Sequence, residues 1–302
     1  MTKVLVTGAT GFVGRTAVRV MLERGYDVAV AVRDRQKAAL LFGDAPVTVV
    51  DTAGPGFADE VRAYAPDAAV HLAACFDADP DEAGCERLVD ANLMLTVRLL
   101  EALRGTGCGL VVSTGTFSEF YRDSDGSLVP QNLYSATKSA QRPIMSYYRS
   151  AEGWKWVDMV VFTPYGRVNP TRKVIDYMVQ ALDSDVPVGF SAGEQVLDFV
   201  HVDDIAELLC RLIERVDRLA PEENLEAGTG HGHSLRQVAD AMERVFGGRL
   251  NAVWGARPYR PREIMHAVAD VARVRQLLDW QPSMSIERGL AIFRDDIRAH
   301  KP

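Results

Sequence analysis

Cysteine is scarce in this sequence, and its placement excludes two common roles. The four cysteines, Cys75, Cys85, Cys108 and Cys210, are scattered along 302 residues without a Cys-x-x-Cys pair. Such spacing provides neither a disulfide scaffold nor a zinc cluster. We therefore expect reduced thiols, a cytoplasmic protein and no metal site.

Long hydrophobic runs and an excess of positive charge are also missing. No apolar run approaches the ~20 residues that a membrane-spanning helix needs. The first residues lead directly into a predicted strand, which leaves no room for a signal peptide. The net charge of −7 offers no basic surface to neutralise nucleic-acid phosphates. We therefore expect a protein that binds neither membranes nor nucleic acids.

Short apolar strands alternate with amphipathic helical patterns through the first half of the chain. This alternation predicts an α/β fold with a parallel, doubly wound sheet of the Rossmann type. Ligands of such sheets bind at the carboxyl ends of the strands. The predicted strands cover residues 3–7, 27–32, 47–51, 68–74, 109–113 and 156–162.

A glycine-rich turn follows the first predicted strand directly. The run GATGFVG at residues 8–14 precedes a helical pattern at about residues 15–24. Glycines let the backbone approach a pyrophosphate, and the N-terminal amides of a helix face its charge. The spacing is GxxGxxG and not the GxGxxG of the usual fingerprint. We predict a dinucleotide site here.

The end of the second strand bears on the choice of cofactor. Arg33 lies about 20 residues after the last glycine, where an acidic residue would bind the ribose hydroxyls of NAD. A guanidinium at this place suits the 2′-phosphate of NADP. Asp34 can serve NAD, and both side chains can equally be solvated charges at a helix start. We predict NADP, used as NADPH, with NAD as the alternative, and we expect Asp51 to reach the adenine.

A tyrosine and a lysine four residues apart carry the predicted chemistry. In a helix, Tyr134 and Lys138 of the YSATK segment lie on the same face. An ammonium beside a phenol favours the phenolate, so we expect the pKa of Tyr134 to lie below its reference value of about 10. Such a phenol exchanges protons with a sugar oxygen. Thr114, at the end of the fifth strand, is expected to contact the same oxygen.

The regular alternation ends in the second half of the chain. A polar segment at residues 119–130 is predicted to be a loop over the site. A helix predicted at residues 171–184 begins with two cations that we expect to be exposed to an anion.

We interpret residues 1–164 and about 195–222 as a dinucleotide-binding domain, and about 165–194 and 223–302 as a smaller C-terminal α/β lobe that binds substrate.

Together these motifs resemble the extended short-chain dehydrogenase/reductase family of nucleotide-sugar enzymes, also called the NAD-dependent epimerase/dehydratase family. The resemblance implies that Tyr134 is the general acid/base, that Lys138 binds the nicotinamide ribose and that Thr114 binds the sugar oxygen. Leu197 stands where this family usually has an arginine, so Arg172 or Lys173 is expected to replace that phosphate contact. The motifs are residues 8–14, HLAA at residues 71–74, the Tyr134/Lys138 pair, DFVHVDD at residues 198–204, and Arg260-Pro261.

The resemblance also implies a set of binding residues. The expected substrate is a nucleotide-diphosphate sugar, and Arg260 matches the position that binds the diphosphate. The expected cofactor contacts are Gly8, Thr10, Gly11, Phe12, Val13, Gly14, Arg33, Asp51, Thr52, Leu72, Ala73, Ala74, Tyr134, Lys138 and Pro164. The expected substrate contacts are Phe76, Thr116, Asn169, Arg172, Lys173 and Arg260.

A narrower resemblance indicates the reaction. The segments STGT at residues 113–116 and NLYSATK at residues 132–138 look like the branch that reduces 4-keto-6-deoxy nucleotide sugars, which includes the CDP-abequose and CDP-paratose synthases. A 4,6-dehydratase needs a further acid and base, and in family members of that type an Asp-Glu pair follows the threonine directly. This chain has Gly115-Thr116 there, with Glu119 three positions late. A 4-epimerase usually holds NAD, and a non-catalytic sensor does not need the Thr114–Tyr134–Lys138 trio. We predict a 4-ketoreductase, with the epimerase as the alternative.

The resemblance finally implies a homodimer. Related proteins bury two helices, here at residues 82–104 and 134–152, in a four-helix interface. Ile144, Tyr147 and Tyr148 are expected to be its outward apolar residues.

Overall fold

The chain alternates strands and helices over most of its length. The computed structural model describes residues 1–169 and 171–300. The strands are β1 (Lys3–Thr7), β2 (Asp27–Val32), β3 (Val47–Asp51), β4 (Ala68–His71), β5 (Leu110–Thr116), β6 (Tyr121–Arg122), β7 (Leu128–Val129), β8 (Lys155–Val161), β9 (Thr163–Tyr165), β10 (Val188–Gly189), β11 (Val196–His201), β12 (Glu222–Ala227), β13 (Gly232–Ser234), β14 (Ala252–Val253) and β15 (His266–Ala267). The helices are α1 (Phe12–Glu23), α2 (Arg35–Phe42), α3 (Phe57–Tyr64), α4 (Glu82–Val89), α5 (Leu95–Leu103), α6 (Leu133–Glu152), α7 (Val174–Leu182), α8 (Val202–Glu214), α9 (Leu235–Phe246), α10 (Ala272–Leu278) and α11 (Ile286–His300).

The central sheet has seven strands in the order β12-β8-β5-β4-β1-β2-β3. All of its pairings are parallel. Apart from the edge strand β12, its strands are mainly apolar, as expected for a sheet covered by helices on both faces. The strand order reverses between β1 and β4, where ligands of such sheets bind. The predicted Rossmann-type α/β fold is therefore confirmed.

A second, smaller sheet is built around β11. This strand pairs with β13 in antiparallel fashion and with β9 and β15 in parallel. Helices α7, α9 and α11 bury their apolar faces in a separate core cluster beside it. Strand β12 belongs to the central sheet and β11 to the second one, while the division of the chain into two domains near residues 195 and 222 stays a prediction. Residues 196–201 belong with the second sheet and residues 222–227 with the first.

Two helix termini bear directly on the site. The side chain of Asn132 accepts a hydrogen bond from Ser135 N at 2.9 Å and thereby starts α6 just before Tyr134. Helix α1 starts after Gly11, and no side chain caps its N-terminal amides. It begins three residues earlier than predicted, so the last glycine of the turn lies inside the helix. Its first amides are therefore available to an anion.

The helix predicted across residues 82–104 is interrupted. Helices α4 and α5 are joined by a π-helical turn at Asp90–Met94, and Asn92 in this turn is fully buried. Such turns are often found at functional sites. None of the helices within the described residues is both long and apolar enough to span a bilayer.

Candidate functional site

The glycine-rich turn is packed so closely that side chains are excluded from it. Gly8 has φ +66°, and a Cβ there would lie 2.6 Å from the backbone nitrogen of Ala73. A Cβ on Gly14 would lie 2.1 Å from the carbonyl oxygen of Gly8. Backbone groups of the turn, of α1 and of Leu72 therefore meet at one place. This cradle and the uncapped amides of α1 fit the pyrophosphate of a dinucleotide.

The ends of β2 and β3 form the predicted adenosine side of the cradle. The exposed guanidinium of Arg33 makes no hydrogen bond or ion pair with any residue that the structure describes. The Asp34 carboxylate instead accepts a hydrogen bond from Lys37 N at 2.9 Å and caps α2. The arginine is thus free to contact a ligand, whereas the aspartate already serves a helix terminus.

Asp51 and Thr52 differ in whether their side chains are free to bond the adenine of a dinucleotide. Asp51 accepts a hydrogen bond from Ala53 N at 2.8 Å, and this bond is the main cause that lowers the pKa of its carboxyl. Thr52 is 4% exposed, and its hydroxyl has no partner among the described residues. A buried hydroxyl without a partner is costly. Thr52 is therefore the better placed of the two to receive a ligand.

Tyr134 and Thr114 present two hydroxyls at the carboxyl end of β5. Both residues are half-buried, and neither hydroxyl makes a hydrogen bond to a residue of the described chain. The ring of Phe76 contacts Tyr134 edge to face, with centroids 4.9 Å apart. The expected depression of the Tyr134 pKa is wrong. Burial, followed by the charge of Glu119, raises that pKa above its usual value.

The position of the Lys138 ammonium explains this difference. Lys138 is 2% exposed, and its Nζ donates a hydrogen bond to Oε1 of Gln141 at 2.8 Å instead of bonding Tyr134. Burial lowers the pKa of Lys138 to about 8. The prediction assumed that a spacing of four residues brings the two groups together, but a long lysine side chain can reach either turn of the helix.

A buried chain of hydrogen bonds continues from Gln141 to the first strand. Nε2 of Gln141 donates to Oγ1 of Thr96 at 2.9 Å, which is also 2.9 Å from Nε2 of His71. Nδ1 of His71 is 2.7 Å from Oγ1 of Thr7. Burial lowers the pKa of His71 to about 3, so this ring is neutral. Sequence reasoning missed Gln141 and Thr96, although Gln141 follows Lys138 at helical spacing.

Asn92 joins the segment after β4 to helix α6. Its amide bonds the backbone of Cys75 in both directions, at 2.8 and 3.1 Å, and donates to Oγ1 of Thr137 at 2.9 Å. It therefore holds the turn after β4 against α6. The π-helical turn carries Asn92 into this position.

Some of the predicted substrate residues already bond other residues of the chain, and others have a side chain without a partner. The Thr116 hydroxyl lies 3.0 Å from Oγ of Ser118 and caps a short 3-10 turn. Asn169 accepts a hydrogen bond from Thr171 N at 3.0 Å. Arg172 is exposed and donates to Gln180 at 3.4 Å. Arg260 is exposed, and its guanidinium has no partner in the part of the chain that the structure describes.

Lys173 is less exposed than predicted. Its ammonium lies 5.8 Å from the centroid of the Phe12 ring, in a pocket that Pro164 and Asn169 also line. Burial lowers the pKa of Lys173 to about 8. Leu197, at the position where an arginine was expected, packs against apolar clusters and supplies no charge. Lys173 is therefore a cation at the junction of the glycine-rich turn and the second sheet.

Comparisons with known proteins agree with this geometry. Residues 4–228 match the model of the NAD dependent epimerase/dehydratase family. The chain is 24% identical over 294 residues to the CDP-abequose synthase of Salmonella typhimurium, covering 95% of each protein. It is 26% identical over 320 residues to the UDP-glucose 4-epimerase of Streptomyces lividans, covering 97% of this chain and 94% of that protein.

A solved structure shares the whole fold. The UDP-glucuronic acid 4-epimerase of Bacillus cereus, in complex with UDP-glucuronic acid and NAD, superposes with a TM-score of 0.87 at 21% identity. The match covers 99% of this chain and 100% of that one. At this identity the likeness establishes the fold alone. The resemblance inferred from the sequence motifs is confirmed.

Proposed function

Because this chain belongs to the NAD dependent epimerase/dehydratase family, we propose that it uses NADPH to reduce the C4 ketone of a 4-keto-6-deoxy sugar attached to a nucleoside diphosphate. One ketone, one NADPH and one proton give one alcohol and one NADP⁺. The observation that carries the proposal is that the Tyr134 phenol at the start of α6 and the Thr114 hydroxyl near the end of β5 are both without a hydrogen-bond partner among the described residues, on two elements that pack together. Ketone reduction requires one such proton donor.

Each residue of the trio has a defined task in this reaction. The bound dinucleotide supplies a hydride to C4. Tyr134 donates a proton to the O4 atom, since its raised pKa keeps the phenol protonated at neutral pH. Thr114 donates a hydrogen bond to the same oxygen and orients the carbonyl. Lys138 is a buried cation fixed by Gln141, and it would hold the nicotinamide ribose of a bound cofactor.

The site does not favour a 4,6-dehydratase. That reaction needs a second acid and base to remove the C5 proton and expel the C6 hydroxyl. The candidate was Glu119, but Nε of Arg142 lies 3.1 Å from its carboxylate, which is 1% exposed. A carboxylate held in a buried ion pair is not available for proton transfer to a sugar.

The substrate diphosphate is proposed to lie between the two sheets. Lys173 is the half-buried cation of this junction, and the free guanidinium of Arg260 stands on the exposed loop of the second sheet. This loop is tied to the segment before α6, because Nε2 of Gln131 donates to the carbonyl oxygen of Arg262 at 2.9 Å. Guanidinium and ammonium groups are the usual ligands of phosphates.

The test is NADPH oxidation with a panel of 4-keto-6-deoxy sugars carrying CDP, dTDP, GDP or UDP. We expect one member to be reduced with stoichiometric loss of NADPH. The alternative is an NAD-dependent 4-epimerase, an activity that the Streptomyces lividans relative carries in its name. Interconversion of UDP-sugars without net cofactor consumption would establish that alternative. Tight cofactor binding without any turnover would instead indicate a sensor.

The cofactor preference gives a separate prediction. Arg33→Ser is expected to weaken NADPH binding by about tenfold to hundredfold, the value of a charge-assisted bond of about 1.5–3 kcal/mol. NADH binding should stay unchanged, because it has no 2′-phosphate. Fluorescence titration of both cofactors measures this, with Arg218→Ser, an exposed arginine after α8, as the control. Equal weakening of NADPH and NADH would contradict the role of Arg33.

We also propose a homodimer through α4, α5 and α6, although two of its predicted contact residues are wrong. Tyr148 is buried and donates to Glu101, and Ile144 packs against the core. Tyr147 is 65% exposed and Met94 50% exposed, and these provide the outward apolar surface. Sedimentation at micromolar concentration should give twice the mass of one chain, and Tyr147→Glu with Met94→Glu should give one chain. A monomeric parent would refute the interface.

We also propose that the protein is located in the cytoplasm. All four cysteines are free thiols. This is compatible with the reducing cytoplasm that we predicted.

A further inference from the structure

Three charged side chains near Tyr134 have no role in the proposed reaction, namely Glu119, Arg142 and Asp158. Glu119 and Asp158 have side chains that are 1% and 5% exposed, and the Arg142 side chain is 25% exposed. Arg142 joins them, since its Nε lies 3.1 Å from Glu119 Oε2 and its Nη1 lies 2.7 Å from Asp158 Oδ2. Burying such charges costs several kcal/mol for each ion unless the geometry is good.

The Glu119 carboxylate connects two elements of the site. Its Oε1 accepts a hydrogen bond from the backbone N–H of Thr116 at 2.7 Å, at the end of the strand that carries Thr114. Its Oε2 accepts hydrogen bonds from Ser139 at 3.3 Å and Arg142 at 3.1 Å. Both of these residues lie on α6, the helix that carries Tyr134. One carboxylate thus ties the end of β5 to α6.

The residue between the two threonines shows how tight this connection is. A Cβ on Gly115 would lie 2.9 Å from Glu119 Oε1, 3.2 Å from Asp158 Oδ1 and 3.4 Å from Arg142 Nη2. The charged side chains therefore pack directly against the backbone at Gly115. An acidic side chain at that position would meet two carboxylates, which explains in physical terms why glycine follows Thr114 here.

We propose that Glu119 is a positioning residue, which fixes the Thr114 hydroxyl relative to the Tyr134 phenol by tying β5 to α6. This inference rests on the proposed function, since it assigns the geometry a role in ketone reduction. The charge of Glu119 has a second effect, because it opposes formation of a phenolate at Tyr134. The titratable and charged groups around that phenol are Glu119 after β5, Cys75 after β4 and Lys138 on α6, with Arg142 and Asp158 behind Glu119.

Two substitutions of Glu119 distinguish the effect of its hydrogen bonds between β5 and α6 from the effect of its negative charge. Glu119→Gln keeps a side-chain oxygen for Thr116 N and removes the charge, whereas Glu119→Asp keeps the charge and shortens the reach. Both variants are expected to lower kcat about tenfold or more, because small displacements of reacting groups are costly. KM for the sugar should stay within about twofold, since no substrate contact is removed. Glu152→Gln, at a carboxylate at the end of α6 that is paired with Arg104 after α5, is the control.

A readout without turnover keeps this inference distinct from the proposed function. Ultraviolet difference absorbance should show one tyrosine ionising at lower pH in Glu119→Gln than in the parent, and Glu119→Asp should match the parent. The signal should be absent from Glu119→Gln combined with Tyr134→Phe. A lower melting temperature with unchanged kcat and unchanged titration would show that Glu119 is only structural and would overturn the inference. If no sugar is reduced, the proposed function is wrong. The titration still shows whether the charge of Glu119 acts on Tyr134.

Discussion

Replacing Tyr134 by phenylalanine is expected to lower the rate of ketone reduction by about 10³-fold, within the range that loss of a general acid gives. The substitution removes the hydroxyl and keeps the ring, so the edge contact with Phe76 persists. No hydrogen bond to a described residue is lost, because the hydroxyl has none. Folding should therefore be close to that of the parent, and NADPH affinity should fall far less than the rate. Single-turnover NADPH oxidation under saturating sugar measures the effect.

The chain offers a matched control for this variant. Tyr147 lies on the same helix, is 65% exposed and contacts Tyr148 edge to face. Tyr147→Phe should reduce the sugar as fast as the parent. If Tyr134→Phe retained full activity, the proton would have to come from another group, and the proposed mechanism would be wrong. If it lost NADPH binding as well, its role would be structural.

Gly14→Ala is expected to remove cofactor binding, with at least about a hundredfold rise in the NADPH dissociation constant. The new methyl group would stand 2.1 Å from the Gly8 oxygen and 2.8 Å from Ala9 Cα, and both of these neighbours are backbone. The turn must then shift, which displaces the amides that we expect to contact the pyrophosphate. Overpacking of this kind also lowers the free energy of unfolding by about 1–3 kcal/mol.

Alanine substitutions at two further glycines serve as comparisons for Gly14→Ala. A Cβ on Gly11 would lie 3.1 Å from the Gly8 oxygen, so Gly11→Ala should have a smaller effect on NADPH affinity. A Cβ on Gly109, before β5, would meet only Asp67 O at 3.9 Å, so Gly109→Ala should leave affinity and stability unchanged. Fluorescence titration with NADPH and thermal unfolding measure both quantities. Undiminished affinity in Gly14→Ala would contradict the assignment of the cradle.

The parts of the fold that follow from local pattern could be predicted from the sequence. Strand residues buried on both faces form continuous apolar runs, and the glycines of residues 8–14 are required by close backbone contact. The edge strand β12 was harder to assign, because its residues EENLEA alternate in burial and fit an edge of either sheet. The sheet to which β11 belongs could not be read from local pattern for a related reason, since its partners β13 and β15 come much later in the chain.

The electrostatics of the site could not be read from spacing alone. Four residues between Tyr134 and Lys138 place them on one helix face, but they do not determine which group the ammonium bonds. The Gln141 contact and the burial of Lys138 depend on the packing of α6 against the π-helical turn. Glu119 likewise shows no motif, and its role depends on Arg142, which comes 23 residues later.

The π-helical turn at Asp90–Met94 has a consequence for how this chain can change over time. Each residue of a regular helix advances the next side chain by about 100° around the axis. Removing one residue from the wide turn would rotate all of α5 by that amount, which takes Leu99 and Leu103 away from the core they now fill. Exchanging Asp90 or Met94, which face outward, alters no such register. For folding, the length of this segment therefore matters more than the identity of its outward residues.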